Sequence, residues 1–310
     1  METFLLVDGH NLLFRMFYGM PDHFRTREGV RYNAVYGFLN TMAAVVSELE
    51  PSRALVLFDT EDCGDRRSLS ADYKANRPDW SEVPPDELPF TQIPAIRLAL
   101  DECGIPHAEA RGCEADDLIA SYALSAGEDW RVMILSTDRD YWQLVGERIS
   151  VIRYTNGGCG LVTPDDVVRK FGVRPDQFAD WKCLVGDASD NIAGVPGVGP
   201  KTAAALLGEF GTLDALMERL EEVPRPKIRG ALRDCRERVD LNRRLIRLNG
   251  SSPLPRPMAE LVCAPLFPRN LLTLARQSAD EARENDGGER LISRTENVYN
   301  RRETTKIAKN

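Results

Sequence analysis

Three short apolar runs in the first half of the sequence each end at an aspartate, and this feature constrains the fold most. The runs are FLLV before Asp8, ALVLF before Asp59 and VMILST before Asp138. Short runs rich in Val, Leu and Ile, separated by helix-patterned stretches, are typical of buried parallel strands joined by crossover helices. Residues 35–50 and 90–104 have such a helical pattern. The first half is therefore predicted to be α/β.

The three aspartates lie where such a sheet has its functional crevice. In open parallel sheets that crevice is found outside the carboxyl ends of the strands. If the three strands are neighbours, the carboxylates of Asp8, Asp59 and Asp138 converge there. The alternative is that each aspartate caps the element that follows it, a position where Asp is favoured. Capping explains one such aspartate well and three in succession less well.

The pattern changes at about residue 163, after which only helices are indicated. Thr163 and Pro164 are suited to the N-cap and first position of a helix. We therefore predict an α/β catalytic domain over residues 1–162 and an all-helical domain over residues 163–275. Residues 276–310 are highly charged and poor in large apolar side chains, which predicts a flexible tail.

Composition excludes several classes of protein. No apolar run approaches the roughly 18 residues of a membrane-spanning helix. The first residues also lack the basic lead of a secretory signal, so we expect a cytoplasmic protein. The seven cysteines include no CxxC pair and the three histidines are scattered. A zinc site or His-based nucleophilic catalysis therefore has little support.

Nine acidic side chains are concentrated in five segments around the predicted crevice. Crowded carboxylates repel one another unless a cation compensates, and hard divalent ions such as Mg²⁺ take oxygen ligands. For the acids at 114–117, the alternative is a favourable interaction with a helix dipole. Without these nine charges the formal net charge of −8 becomes about +1, so the acidity no longer opposes a polyanionic partner. The nine are Asp8, Asp59, Glu114, Asp116, Asp117, Asp138, Asp140, Asp187 and Asp190.

A glycine-rich turn follows the last acidic pair. In GVPGVGPKTAAALL, Gly197 and Gly199 precede a helix that is predicted to start at Pro200. Glycines let backbone amides approach an anion, and the start of a helix favours negative charge. Lys201 and Thr202 would add contacts to a nucleic-acid backbone. A plain turn is the alternative, but the position soon after GDASDN favours phosphate binding.

A basic element precedes a proline-rich segment at residues 77–89. Lys74 and Arg77 have the spacing to face one phosphate, and Tyr73 could stack on a base. A solvated basic turn is the alternative. By composition alone the proline-rich segment is interpreted as a surface loop rather than a lid.

In this order the motifs resemble the 5'-nuclease family. That family comprises the 5'-3' exonuclease domain of bacterial DNA polymerase I, phage flap endonucleases and their free-standing relatives. The resemblance covers about residues 3–250. It implies a PIN-like nuclease domain with a mainly parallel sheet and a helical arch at about residues 73–102, followed by a helix-three-turn-helix (helix-hairpin-helix) DNA-binding region. The matching stretches are LLVDGHNLLFRMFYG, NAVYGFLN, FD, YKANRP, GCEADDLIASYA, STDRDYWQLV and VGDASDNIAGVPGVGPKTAAALL.

The resemblance also implies a metal-binding role for the nine acids, with two or more Mg²⁺ or Mn²⁺ ions as cofactors. The boundary between the two sets of ligands is left open at Asp117. The set implied near the first ion is Asp8, Asp59, Glu114, Asp116 and Asp117. The set implied near the second ion is Asp138, Asp140, Asp187 and Asp190.

The remaining motif residues are implied to contact DNA. Lys74 and Arg77 match a basic pair that touches the scissile phosphate, and Tyr73 matches an aromatic residue that stacks on the substrate. The hairpin is implied to grip duplex DNA and to be able to hold K⁺ through backbone carbonyls. Its residues are Gly197, Gly199, Lys201 and Thr202.

The resulting expectation is a 5'-3' exonuclease and 5'-flap endonuclease that leaves 5'-phosphates, acting in DNA replication or repair. Its expected partner is DNA with a 5' flap, a nick or a 5'-ended junction. Since residues 276–310 hold no polymerase, we expect a stand-alone monomer that works beside a separate DNA polymerase. Two other functions are weighed against this. A non-catalytic DNA-binding protein need not retain all nine acids, and a PIN-type ribonuclease would lack the glycine hairpin.

Overall fold

The structure, a computed structural model, describes residues 1–60, 65–78, 80–155, 158–263 and 271–286. Its strands are β1 (Glu2–Asp8), β2 (Arg53–Leu57), β3 (His107–Ala108), β4 (Trp130–Leu135), β5 (Ile149–Thr155), β6 (Gly158–Val162), β7 (Gly186–Asp187) and β8 (Ile192–Ala193). Its α-helices are α1 (Gly9–Gly19), α2 (Asn33–Leu49), α3 (Asp65–Leu69), α4 (Ile93–Glu102), α5 (Ala115–Ser125), α6 (Pro164–Phe171), α7 (Pro175–Val185), α8 (Pro200–Phe210), α9 (Leu213–Glu218), α10 (Pro226–Asp234), α11 (Arg236–Ile246) and α12 (Leu271–Asp286).

A six-stranded sheet forms the centre of the first half. Its strand order is β3-β2-β1-β4-β5-β6, and every neighbouring pair is parallel except β5 with β6. The three apolar runs predicted from the sequence are β2, β1 and β4, which lie side by side. The predicted α/β fold with a mainly parallel sheet is confirmed. The other three strands of this sheet were not predicted.

The continuous apolar run of β1 reflects burial on both faces of the sheet. Phe4 and Leu6 contribute to one apolar cluster, whereas Leu5 and Val7 contribute to another. All four side chains have no exposed surface. Helices therefore cover both faces, which is why the sequence of this strand does not alternate between apolar and polar residues.

The predicted helices of the first half are α2 and α4. Between α3 and α4, the described residues form turns and two 3-10 turns, Pro85–Glu87 and Pro89–Gln92. The helical arch expected at about residues 73–102 is thus helical, in the described part, mainly at its α4 end. Buried Gln92 connects the two helices, because its Oε1 accepts hydrogen bonds from the backbone nitrogens of Ala34 (3.0 Å) and Val35 (3.2 Å).

The second half is mainly helical, as predicted. Thr163 caps α6 and forms a capping box with Asp166, and the helix ends at Gly172 in the left-handed region (φ 73°). The expectation of a region without strands is not met where β7 and β8 form a two-residue antiparallel pair. The pairing is too short to leave a strand pattern in the sequence. Gly194 follows it, and a Cβ there would lie 2.2 Å from the carbonyl oxygen of Val185.

The prediction of a flexible tail is wrong for residues 276–286, which belong to α12. This helix packs against α2 and α4. Its buried face consists of small side chains, and a helix without large apolar residues carries no recognisable core pattern in its sequence. Residues 287–310 of the predicted tail lie outside the described part of the chain. The buried residues of α12 are Ala275, Ser278, Ala279 and Ala282.

None of the helices in the described residues combines the length and the apolar character that a membrane span requires.

Candidate functional site

Asp8, at the end of β1, is the innermost acid of the site. It is the N-cap of α1, and its Oδ1 accepts a hydrogen bond from the backbone nitrogen of Asn11 at 3.0 Å. Its Oδ2 accepts hydrogen bonds from Ser136 Oγ (3.2 Å) and Tyr141 Oη (3.1 Å). Burial, followed by the charges of Asp59 and Asp138, raises the pKa of Asp8 to about 7. Capping and convergence, which were alternatives for this aspartate, therefore both occur.

Asp59, just after β2, caps a helix from another part of the chain. Its Oδ1 accepts a hydrogen bond from the backbone nitrogen of Ala115, the first residue of α5, at 2.7 Å. Its own backbone nitrogen donates to Nδ1 of His10 at 3.0 Å. Asp59 thereby holds the start of the acid-bearing helix α5 against the edge of the sheet.

The three acids at the start of α5 surround one guanidinium, that of Arg66 on α3. Arg66 lies 2.5 Å from Glu114, 3.2 Å from Asp116 and 2.6 Å from Asp117, measured between nitrogen and carboxylate oxygen. Burial, followed by repulsion from Asp116, raises the pKa of Glu114 and of Asp117. For Arg66, burial disfavours the charged form, but attraction to the three acids outweighs it and raises the pKa.

A second acidic group lies between the two halves of the molecule. Carboxylate oxygens of Asp140, Asp187 and Asp190 all lie within 4.8 Å of one another. Lys182 of α7 donates a hydrogen bond to Asp140, and its Nζ lies 2.6 Å from Asp187. Asp138 completes the group by accepting a hydrogen bond from the backbone nitrogen of Asp140 at 2.9 Å.

Burial and one ammonium group set the ionisation of this second cluster. Burial raises the pKa of Asp140 to about 7, although Lys182 opposes the shift. Burial would also raise the pKa of Asp187, but Lys182 and Ser189 hold it below its usual range. Lys182 thus opposes the effect of burial on both carboxyls and outweighs it, together with Ser189, at Asp187.

The basic turn at residues 72–77 is docked between the two acidic groups. The backbone nitrogen of Lys74 donates to the carbonyl oxygen of Asp190 at 3.0 Å, and Asn76 Nδ2 donates to that of Ala188 at 2.9 Å. Lys74 Nζ lies 3.3 Å from Glu114, and Arg77 lies 3.3 Å from Asp190. Each cation thus contacts an acid of a different group. Lys74 adopts φ 57°, a left-handed conformation that is unfavourable for a lysine and is retained at this junction.

The structure buries the side chain of Tyr73, the residue for which a stacking role is expected. Its side chain is 4% exposed and belongs to an apolar cluster with residues of α5 and the sheet. Lys74 Nζ lies 4.7 Å from the centre of its ring. The ring is therefore covered in this conformation and leaves no face on which a nucleobase could stack, although its hydroxyl lies beside Lys74 and the acidic groups.

The glycine hairpin has the predicted local structure. Gly197 adopts φ 80°, Gly199 is the N-cap of α8, and the helix begins at Pro200. Lys201 is exposed at this helix start and Thr202 is partly exposed. Within the described residues, Lys201 has no carboxylate within salt-bridge distance. Gly197 and Lys201 of the hairpin are therefore exposed to solvent.

Sequence reasoning missed the two buried cations of the site. Lys182 had a detectable signal, because a lone lysine in the apolar stretch of α7 requires a buried partner or a route to water. Arg66 had none, since its partners lie 48 to 51 positions further along the chain. Both acidic groups are therefore partly neutralised by residues that the analysis of spacing overlooked.

The donor set fits hard divalent cations. All nine predicted ligands are carboxylates, and the three oxygens within 4.8 Å come from Asp140, Asp187 and Asp190. Oxygen-only sets of this kind suit Mg²⁺ or Mn²⁺, whereas zinc favours nitrogen and sulfur ligands.

Two models of known protein families together match residues 3–267 of the chain. Residues 3–172 match "5'-3' exonuclease, N-terminal resolvase-like domain", and residues 173–267 match "5'-3' exonuclease, C-terminal SAM fold". DNA polymerase I of Mycobacterium bovis is 39% identical over 256 residues, which are 81% of this chain and 28% of that protein. The chain therefore spans little more than a quarter of this relative. The 5'-3' exonuclease of Aquifex aeolicus is 36% identical, over 80% of this chain and 82% of that protein.

Solved structures show the same fold at lower identity. The flap endonuclease of bacteriophage T5, in a pseudo-enzyme-product complex with DNA and metal ions, is 22% identical with a TM-score of 0.67. That alignment covers 91% of this chain and 100% of the other. The catalytic core of Rad2 in complex with DNA substrate is 15% identical with a TM-score of 0.54, covering 91% and 90% of the two chains.

Proposed function

The chain belongs to the 5'-3' exonuclease family, and on this premise we propose that it hydrolyses phosphodiester bonds of DNA. It acts as a structure-dependent 5'-3' exonuclease and 5'-flap endonuclease, leaving 5'-phosphates. Its role is primer or flap removal in replication, or repair. The observation that carries this proposal is the position of the basic turn between two acidic groups. Lys74 contacts Glu114 at the start of α5, and Arg77 contacts Asp190 of the cluster that also contains Asp140 and Asp187.

The proposed cofactors are two or more Mg²⁺ or Mn²⁺ ions. Such ions lower the pKa of a water molecule and neutralise charge on phosphate oxygens. The acids at the start of α5, with Asp8 and Asp59, would hold one ion. The cluster of Asp140, Asp187 and Asp190, with Asp138, would hold another. K⁺ bound by backbone carbonyls of the glycine hairpin is a further part of the proposal.

The remaining site residues orient the substrate and the acids. Lys74 and Arg77 stabilise negative charge on the phosphate as it reacts. Ser136 and Tyr141 fix the orientation of Asp8 through their hydroxyl groups. Gly197, Gly199, Lys201 and Thr202 bind the backbone of the duplex, where contacts set position rather than sequence preference.

The proposed partner is DNA with a 5' flap, a nick or a 5'-ended junction. The T5 flap endonuclease and the catalytic core of Rad2 have been solved in complex with DNA, which supports the choice. We further propose a cytoplasmic monomer that acts beside a separate DNA polymerase.

The test is cleavage of end-labelled 5'-flap, nicked and single-stranded DNA and single-stranded RNA, with Mg²⁺ and with EDTA. We expect flap and nicked DNA to be cut only with Mg²⁺, giving products with 5'-phosphates. Cutting of RNA alone would favour a ribonuclease. Binding of flap DNA without cleavage in Mg²⁺ would favour a non-catalytic DNA-binding protein.

The matched variants address the metal assignment. Replacing both Asp138 and Asp140 by Asn should abolish Mg²⁺-dependent cleavage while flap binding in Ca²⁺ persists. The control is Asp165→Asn, which removes an exposed carboxylate from the first turn of α6 and should leave cleavage unchanged. Wild-type cleavage by the double variant would refute the assignment of this acidic group to metal binding.

A further inference from the structure

Arg66 contacts three carboxylates of the site at once, although a single carboxylate would balance its charge. Its side chain is 7% exposed. Nη1 donates to Glu114 (2.5 Å) and Asp116 (3.2 Å), while Nη2 donates to Asp117 (2.6 Å). One rigid, planar group therefore sets the relative positions of three carboxylates that come from a single turn of helix.

The same cluster is attached to the end of α11, in the helical half. Arg66 Nη2 lies 3.4 Å from the carbonyl oxygen of Arg247. The backbone nitrogen of Asn249 donates to Asp117 Oδ1 at 2.7 Å. Nearby, Gln143 Nε2 donates to the carbonyl oxygen of Ile246 at 3.3 Å, and its Oε1 accepts from the backbone nitrogen of Leu248 at 3.1 Å. The acids are thus fixed between Arg66 on one side and the chain leaving α11 on the other.

We propose that Arg66 is a positioning residue for the reaction of this site, which fixes Glu114, Asp116 and Asp117 in the arrangement that binds a divalent ion. The expected loss of cleavage rests on the proposed function, whereas the expected loss of metal affinity does not. Arg66 acts through the three acids and does not touch the substrate. Groups that orient metal ligands in this way typically change metal affinity or activity by about 10- to 100-fold when they are replaced.

Charge and geometry make opposite predictions for two substitutions. If Arg66 supplied only positive charge, Arg66→Lys would preserve metal binding, and Arg66→Gln would strengthen it by removing a repulsive cation. If the planar fork fixes the carboxylates, lysine cannot replace it, because a single ammonium group does not span three acids. Both variants then bind metal more weakly than the wild type.

The experiment titrates the full-length protein with Mn²⁺, without DNA, and follows free Mn²⁺ by electron paramagnetic resonance. We expect Arg66→Lys and Arg66→Gln to lower Mn²⁺ affinity by about 10-fold or more. Single-turnover cleavage of flap DNA should fall by a similar factor. Flap affinity in Ca²⁺ should stay within about 2-fold, because Arg66 is not part of the hairpin that is proposed to bind the duplex. The control Arg169→Gln removes an exposed arginine paired with one acid on α6 and should match the wild type.

Wild-type Mn²⁺ affinity in Arg66→Lys, or tighter binding in Arg66→Gln, would overturn the proposal in favour of charge balance alone. Circular dichroism and thermal unfolding identify a variant that does not fold. If Arg66→Gln does not fold, the Mn²⁺ affinity of Arg66→Lys distinguishes geometry from charge, because this variant keeps the positive charge that the acids require. A wild-type protein that cuts none of the DNA substrates refutes the proposed nuclease function, while the Mn²⁺ titration still decides the role of Arg66.

Discussion

Replacing Asp8 by Asn should stabilise the metal-free protein at alkaline pH, although it removes a proposed metal ligand. The pKa of Asp8 is raised from 3.8 to about 7 in the folded protein, mainly by burial. Between these values the folded state holds a proton that the unfolded state has released. The free energy of unfolding therefore falls as pH rises from about 4 to about 7 and levels off above that.

The size of the effect follows from the shift. About 3 pKa units correspond to at most about 4 kcal/mol, and relaxation around the charged carboxylate reduces this to about 2 kcal/mol. Asparagine has no such ionisation, yet its oxygen can still accept the hydrogen bond from Asn11. We expect Asp8→Asn to raise the melting temperature in EDTA by about 4 °C or more near pH 8, and by little near pH 5.

Thermal unfolding of both proteins in EDTA, followed by circular dichroism across this pH range, measures the difference. Ionisations elsewhere in the chain largely cancel between wild type and variant. Asp165→Asn, which removes an exposed carboxylate from α6, serves as the control. With Mg²⁺ present the order should reverse, because bound ions stabilise the folded wild type by mass action. An Asp8→Asn protein that is less stable than the wild type near pH 8 in EDTA would refute the reasoning.

Three further outcomes are expected. Lys201→Ala should weaken flap binding without changing sequence preference and lower the salt slope by about one unit, measured by fluorescence anisotropy; an unchanged slope would contradict a phosphate contact. Lys74→Ala should reduce the single-turnover rate more than DNA affinity, and the reverse pattern would make Lys74 a binding residue. Ala279→Leu should destabilise the protein by about 1–3 kcal/mol in thermal unfolding, because it overfills the contact of α12 with α2 and α4. Wild-type stability would show that this contact is loosely packed.

The sequence predicted those parts of the fold that carry a continuous pattern. Strands β1, β2 and β4 are buried on both faces and are therefore uniformly apolar. β5 and β6 form an antiparallel pair at the edge of the sheet, where exposed residues such as Arg153 interrupt the pattern. The sequence did not predict that helix α12 packs on the core, because its buried residues are small. Small side chains occur both in flexible segments and where two helices approach closely, so their size does not distinguish the two cases.

At the site, residue types could be predicted but their partners could not. The nine acids stood out because carboxylates at short spacings are costly without a cation. Whether Tyr73 faced solvent or core was not encoded locally, since tyrosine suits either environment. Arg66 and Lys182 became recognisable only when the fold brought distant acids around them. A buried cation is defined by its neighbours rather than by its position in a motif.

The central position of β1 in the sheet has a consequence for synthesis on the ribosome. Its neighbour β4 begins only at Trp130, and Asp117 receives its hydrogen bond from Asn249, 132 positions later. Chains emerge at about 5–20 residues per second, and segments made early wait for those made late. A nascent chain that has not yet reached residue 249 carries Arg66 and the three acids of α5, but it lacks the backbone nitrogen that fixes Asp117. The acidic centre is therefore completed only after the chain that follows α11 has been synthesised.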